Sequence, residues 1–528
     1  MSIRSRVPSR SWWRSETTTL EGTRSCVATP RRRCSRWGDW TSRTGEIHTS
    51  AINDPSGNLT SYQDTAATTA YGYDAGNNLV RLGESATACQ IPASNPPAYY
   101  YTGATSTDPA ALPPAGTKCT VYGYDSNNTR TRTVLPGGTI TTATVDKSHR
   151  PTQLTAQLPG GSTVMNFGYD YSKAGQDSAV VTSRTDYVTA SQPVQSYLYD
   201  GLNRLGQVLE KPSGGTTTGS WTYCYDQAGN RTYDTTSLSF GIASCAGVGS
   251  ATAATYTYDN TNALTGRTGQ PASAFAYDGN GNEYAAAGGT VRTAGTFSVK
   301  NQQLTSTTDA TAHTATYAGS GQTERTSLDN TKYQNTPLGL TTQTTNNAGV
   351  FTTTRFIREP GGAPVALRVG AVSYYYITDN QGTVISVVNG AGQEFNRYGY
   401  DPYGNSRGKT EGVANPLQYT GGQLDATGLY HLGARYYDTT LGRFTQPDPT
   451  GQDPQYTYAG NNPTNNTDPT GEFGIADALT VLADVGAIYA LVTLTAAITP
   501  IGLTLVALTA AGAVIGTACD INGLTEPC

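Results

Sequence analysis

The sequence predicts a mainly β protein made of short antiparallel hairpins, and two observations carry that prediction. The first is composition. Gly (60 residues) and Tyr (35 residues) are abundant while only 14% of the chain is charged. Thr and Tyr favour strands, and Gly, Asn and Asp favour tight turns, so the mixture reads as many strands joined by many turns. Disordered chains have few aromatics and more charge. The second is an internal repeat. YGYDAGNNLVRL from Tyr71, YGYDSNNTRTRTV from Tyr122, FGYDYSKAG from Phe167, YLYDGLNRLGQV from Tyr197, YCYDQAGNRTYD from Tyr223, YTYDNTNALTGR from Tyr256 and FAYDGNGNEY from Phe275 share one pattern. Weaker copies begin at Ile52 and Val145.

Each unit reads as strand, turn, strand. The aromatic-x-aromatic start puts two rings on one face, because strand side chains alternate. Asp opens the turn, and Gly-Asn supplies the positive φ that hairpin loops require. A lone hairpin cannot bury its apolar face, so the units must pair sideways into one long sheet. Coiling that sheet removes most of its exposed edge. The repeat spacing, marked by Asp74, Asp125, Asp170, Asp200, Asp226, Asp259 and Asp278, is too uneven for a propeller.

The formal net charge of −5 argues against a general nucleic-acid binder. Arg crowds into the first 45 residues, and no Lys or Arg follows Arg443. Residues 1–45 carry no repeat and lack the continuous apolar stretch of a signal peptide. They read as an atypical leader, either a disordered basic segment or a frameshifted start. The cysteines fall into local pairs. Cys89 with Cys119, Cys224 with Cys245, and Cys519 with Cys528 are disulfide candidates, as is Cys26 with Cys34, and none has metal-ligand spacing. Bridges closing surface loops imply an oxidising compartment; free thiols are the alternative. The four histidines lie far apart, so neither a metal nor any other cofactor is expected.

From Tyr374 the strings become more specific. YYYITDNQGTVISVV and RYGYDPYGNSRG lead into LQYTGGQLDATGLYHLGARYYDTTLGRFTQPDPTG and YTYAGNNPTNNTDPTG. With the repeats before them, these residues resemble the Rhs/YD-repeat proteins and their C-terminal Rhs repeat-associated core. The resemblance covers about residues 46–471. It implies a spiralling β-shell enclosing a C-terminal polypeptide, usually a toxin, which the core frees by aspartyl autoproteolysis. It also implies an exported or cell-surface bacterial protein used against competitors, hosts or insects, with an immunity protein as a candidate partner. The expected organisation is a leader (1–45), a YD-repeat sheet (46–350), an Rhs core (351–471) and a variable tail (472–528). The repeat array is short for a closed shell, and Glu472 stands where the family pattern has leucine.

Peptide hydrolysis by aspartates needs two nearby carboxyls in different protonation states. The candidates are Asp448 in GRFTQPDPTG and Asp468 in NNTDPTG, with Asp453 in reserve. The family motif places a required Arg and Asp in the GR-x-x-x-x-DP stretch, which implies roles for Arg443 and Asp448; Arg443 is expected to hold one carboxylate ionised. The cut is expected at Gly471 and Glu472. Asp-Pro-x-Gly also makes a good turn, so a purely structural role stands beside the catalytic one.

The tail changes character. No charged residue occurs between Asp484 and Asp520, and Pro500 divides the run into Ile475–Thr499 and Ile501–Ala518. Each segment approaches the roughly 20 residues that span a bilayer, so the tail is expected to be helical and to engage a membrane; a buried helical plug is the alternative. For the whole chain two readings compete. One is a toxin-delivery protein whose shell encloses its own tail. The other is an adhesive surface protein that binds carbohydrate through exposed aromatics and is anchored by the tail.

Overall fold

The computed structural model describes residues 50–64, 67–86, 88–89, 118–238, 245, 253–268, 273–287, 290–451 and 454–472. The expectations for the leader, for Asp453 and for the helical, membrane-engaging tail fall outside these residues. So do two of the expected disulfides: Cys26 and Cys34 lie in the leader, and Cys519 and Cys528 lie in the tail. Neither the bridge from Cys519 to Cys528 nor that from Cys26 to Cys34 is therefore among the disulfides described here. The expected β architecture is observed. A 30-stranded antiparallel sheet runs from Ser50–Asn53 to Ser406–Glu411. Apart from one small excursion, the hairpin of Ser172–Lys173 and Gln176–Asp177, each strand pairs with the next in sequence. The connectivity is therefore a meander, as local hairpin signals favour. The ladder continues through residue 350, where Gly339–Asn347 pairs with Val350–Arg358. After Glu411 the pattern changes to a four-stranded sheet of Gln423–Leu424, Tyr430–Leu432, Arg435–Asp438 and Arg443–Phe444.

The repeat string has a clear structural meaning. In Asp74, Asp125, Asp200, Asp259 and Asp278 the side chain accepts backbone N–H groups two and four residues on, as Asp74 does from Gly76 (2.8 Å) and Asn78 (2.8 Å). The residue three after Asp takes a positive φ, satisfied by Asn77, Asn128, Asn203 and Asn262 or by Gly229 and Gly281. A register shift in the ladder sits beside the turn, as between Gly72 and Tyr73. The tyrosine before Asp then reaches sideways. Its hydroxyl donates to the carbonyl that begins the previous hairpin's return strand: Tyr73 to Leu59 (2.9 Å), Tyr124 to Leu79 (2.8 Å), Tyr225 to Leu205 (2.8 Å) and Tyr258 to Arg231 (2.7 Å). Where the residue four after Asp is Asn, it bridges to the next hairpin's turn, as Asn78 does to Asn128 (3.1 Å) and Asn230 to Asn262 (2.8 Å).

The first ring of each unit points into the core. Tyr71, Tyr122, Phe167, Tyr197 and Tyr223 are buried with Ile357, Ala366, Tyr375 and Ile385 from later strands. The sheet has thus coiled until an early stretch faces a late one. Polar pairs fix that contact: Arg355 with Asp64 (2.9 Å), Arg130 with Glu359 in a two-point pair (2.8 and 2.9 Å), and Tyr375 with Glu84. Disulfides Cys89–Cys119 and Cys224–Cys245, with Cα separations of 5.2 and 5.6 Å, close the two loops expected from sequence.

Candidate active site

The four-stranded sheet brings Arg435 to the centre of the C-terminal segment. One nitrogen, Nη2, contacts Asp448 Oδ2 at 3.1 Å and Asp468 Oδ2 at 3.0 Å. Both carboxylates lie against the same atom, so their oxygens can be no further apart than those two distances together. The cluster is buried: Arg435 is 1% exposed, Asp468 1% and Asp448 8%. Burial pulls the Arg435 guanidinium below its ordinary pKa, while Asp468 and Asp448 pull it back up. The Phe444 ring lies 3.6 Å from the guanidinium carbon, and the Gln455 carbonyl accepts from Nη1 at 2.9 Å.

The segment carrying the expected cut site is fastened to the same arginine. Arg435 Nε donates to the Gly471 carbonyl at 2.6 Å, and the Glu472 N–H donates to Asp468 Oδ1 at 3.2 Å. The two ends of one peptide bond therefore meet an arginine N–H and a carboxylate. Thr470 holds this segment in place through its carbonyl, which accepts from Ala434 N at 2.8 Å. Gly471 has φ 65°, and a Cβ there would collide with backbone atoms of Leu432, Ala434 and Arg435.

The turn role and the cluster coexist. Asp448 uses Oδ1 to accept from Thr450 N (2.7 Å) and Thr450 Oγ1 (2.5 Å), leaving Oδ2 for Arg435. Asp468 likewise uses Oδ1 within its own turn, from Thr470 Oγ1 (3.3 Å) and Glu472 N, and Oδ2 for Arg435. Arg443, expected to hold one of these carboxylates, lies elsewhere. Its guanidinium sits over Tyr456 (4.7 Å) and Tyr258 (5.4 Å) and donates to the Asn262 carbonyl at 3.3 Å. The reason is strand alternation: Phe444 faces Arg435, so its neighbour Arg443 faces away. Sequence reasoning passed over Arg435 in GARYYD. The available signal was a second arginine on a strand beside an aromatic pair.

The teneurin YD-shell family model matches residues 332–467. The tRNA(Glu)-specific nuclease WapA of Bacillus subtilis subsp. natto is 38% identical over 111 residues, 19% of this chain and 5% of that protein. The toxin subunit YenC2 of Yersinia entomophaga is 36% identical over 96 residues, 18% of this chain and 9% of that protein. The crystal structure of TcdB2-TccC3 aligns with a TM-score of 0.59 at 19% identity, over 81% of this chain and 22% of that one. The chain carries YD repeats of the Rhs type. It spans a small part of the length of these relatives. Within this YD-repeat protein, the matched stretch ends just before Asp468, so the family model includes Arg435 and Asp448 but stops short of Gly471.

Proposed function

We propose that this YD-repeat protein is the shell-and-core part of an exported toxin-delivery protein that hydrolyses its own Gly471–Glu472 bond, freeing residues 472–528 as its effector segment. One observation carries the reading: a single buried arginine joins two aspartates to the carbonyl of the expected bond, with one aspartate also on the adjoining N–H. In this mechanism Asp448 takes a proton from water as its oxygen adds to the Gly471 carbonyl carbon. Arg435 Nε stabilises the oxyanion that forms. Asp468, 3.2 Å from the Glu472 nitrogen, must be protonated in the reacting state and passes that proton to the nitrogen as the C–N bond breaks. The products are a Gly471 carboxylate and a free Glu472 amine, with one water consumed. The division of labour between the two aspartates is assigned by proximity, since Asp468 is the one beside the Glu472 nitrogen.

The similarity to a toxin subunit and to a tRNA nuclease supports the delivery role, and the disulfides support an oxidising location. The apolar character of 473–528 supports a membrane as the target of the freed segment. The test is purification of the chain followed by gel and mass analysis. The proposal expects a fragment ending at Gly471, absent in Asp448→Asn. Equal cutting in parent and variant, or a chain that stays whole in both, would overturn it.

A further inference from the structure

The core does not merely follow the sheet; it is seated on a row of YD turns. Asn461 Nδ2 donates to the Gly229 carbonyl (2.7 Å), Arg443 Nη2 to Asn262 (3.3 Å), the Tyr456 hydroxyl to Gly281 (2.7 Å) and Gln446 Nε2 to Asn301 (2.7 Å). All four acceptors occupy one position, three residues after the residue that opens the turn, in four successive turns opened by Asp226, Asp259, Asp278 and Ser298. Each acceptor residue has a positive φ, which turns a carbonyl outward at the same point of every turn. Two of them are glycines, and there the core comes closest. A Cβ at Gly229 would lie 2.7 Å from Pro454 Cγ, and one at Gly281 would lie 2.8 Å from the Tyr456 hydroxyl oxygen.

The residues that read this row alternate along the chain with those that build the aspartate cluster. Arg443 faces the row and Phe444 faces Arg435. Gln446 spans both, since its Oε1 accepts from Tyr436 N at 3.1 Å, next to Arg435. Gln455 accepts from Arg435 and from Asp448 N (2.9 Å), while Tyr456 reaches Gly281. A shift of the segment against the turns must therefore shift the cluster too.

We infer that the row Gly229, Asn262, Gly281 and Asn301 is a docking surface for the core, and that Arg443, Gln446, Tyr456 and Asn461 are positioning residues which assemble the cleavage centre only on hairpins that have already formed. This inference rests on the self-cleavage reading and adds its regulation: the cut reports completion of this stretch of the shell.

The test uses the full chain and substitutions far from the chemistry. Asn occupies the equivalent turn position at Asn77, Asn128, Asn203, Asn262 and Asn301 with positive φ, so Gly→Asn there tests space rather than backbone strain. Gly281→Asn and Gly229→Asn are expected to slow the cut by roughly tenfold to a hundredfold, the range for misplaced reacting groups. Gly57→Asn, in a turn where a Cβ meets nothing within 4 Å, is expected to cut at the parent rate. Adding Tyr456→Phe to Gly281→Asn removes the colliding hydroxyl and should restore the rate of Tyr456→Phe alone, a recovery that a general folding defect would not give. Cleavage is timed by pulse-labelled synthesis, with strand content checked by circular dichroism. If all variants cut at the parent rate, the coupling is wrong and self-cleavage stands. If Gly281→Asn is slow and Tyr456→Phe gives no recovery, the proposed contact is wrong. If neither parent nor Gly57→Asn cuts, the self-cleavage reading fails and the coupling falls with it.

Discussion

Several of the described turn aspartates give one oxygen to the turn and the other to a neighbour; a buried arginine takes the second oxygen of Asp425 and of Asp438, and what sets Asp448 and Asp468 apart is that they share one arginine. In Asp74 and Asp226 both oxygens serve the turn, one on backbone N–H groups and one on the Asn four residues on. In Asp448 and Asp468 the second oxygen goes to Arg435 instead. Arg435→Ala should therefore lower the rate of self-cleavage by roughly a hundredfold or more, the scale for loss of one oxyanion donor, measured by single-turnover gel time course. Arg435→Lys keeps the charge but cannot reach Gly471 and both carboxylates with a planar fork, so it should rescue little. Asp379 makes a contrasting case. Burial raises its pKa above the ordinary carboxylate value. The folded state then binds a proton more readily than the unfolded one, so stability falls as pH rises from the unfolded to the folded value and stays lowered above it. Asn389 fills the same role in the next hairpin, accepting from Ala391 N and Gln393 N. Asp379→Asn should thus raise the melting temperature at about pH 7, and the gain should shrink as pH is lowered through the carboxylate range.

At the scale of elements, the sideways tyrosine hydroxyls and the turn bridges tie each hairpin to the last. Tyr124→Phe removes the hydroxyl that satisfies the Leu79 carbonyl and should cost about 1 kcal/mol in urea denaturation. The disulfides close loops with sequence separations of 30 and 21 residues. Reduction should cost roughly 3 kcal/mol for each in the chain-entropy model, and non-reducing peptide mapping should find both pairs. These elements were legible in the sequence because hairpin signals are local: the Asp, the positive-φ residue and the ring positions sit within one short string. The aspartate–arginine cluster was legible only in part. Asp448 and Asp468 stand out as twin DPTG turns, but the arginine between them does not. Arg443 is closer to Asp448 along the chain, yet the pairing of Tyr437 with Phe444 and of Asp438 with Arg443 carries Arg435 to the aspartates and turns Arg443 toward the YD turns. Nearness across a sheet is set by register, which sequence distance does not report.

For the whole molecule, the coiled meander provides a scaffold whose late strands pack against its early ones and whose middle turns seat the core. That arrangement links the YD turns to the proposed cleavage site. On the proposed function, the segment after Gly471 is the part left to act. Its apolar run is expected to bind lipid, and a synthetic 473–528 peptide should release dye from liposomes; failure to bind or leak would favour a buried plug instead. Self-hydrolysis at the Gly471–Glu472 bond can be read from the intact mass of the freshly purified chain. It should give two polypeptides, one ending at Gly471 and one beginning at Glu472, in the parent, and a single uncut chain in Asp448→Asn. A parent that gives only the full-length mass, or a variant cut as completely as the parent, would contradict it.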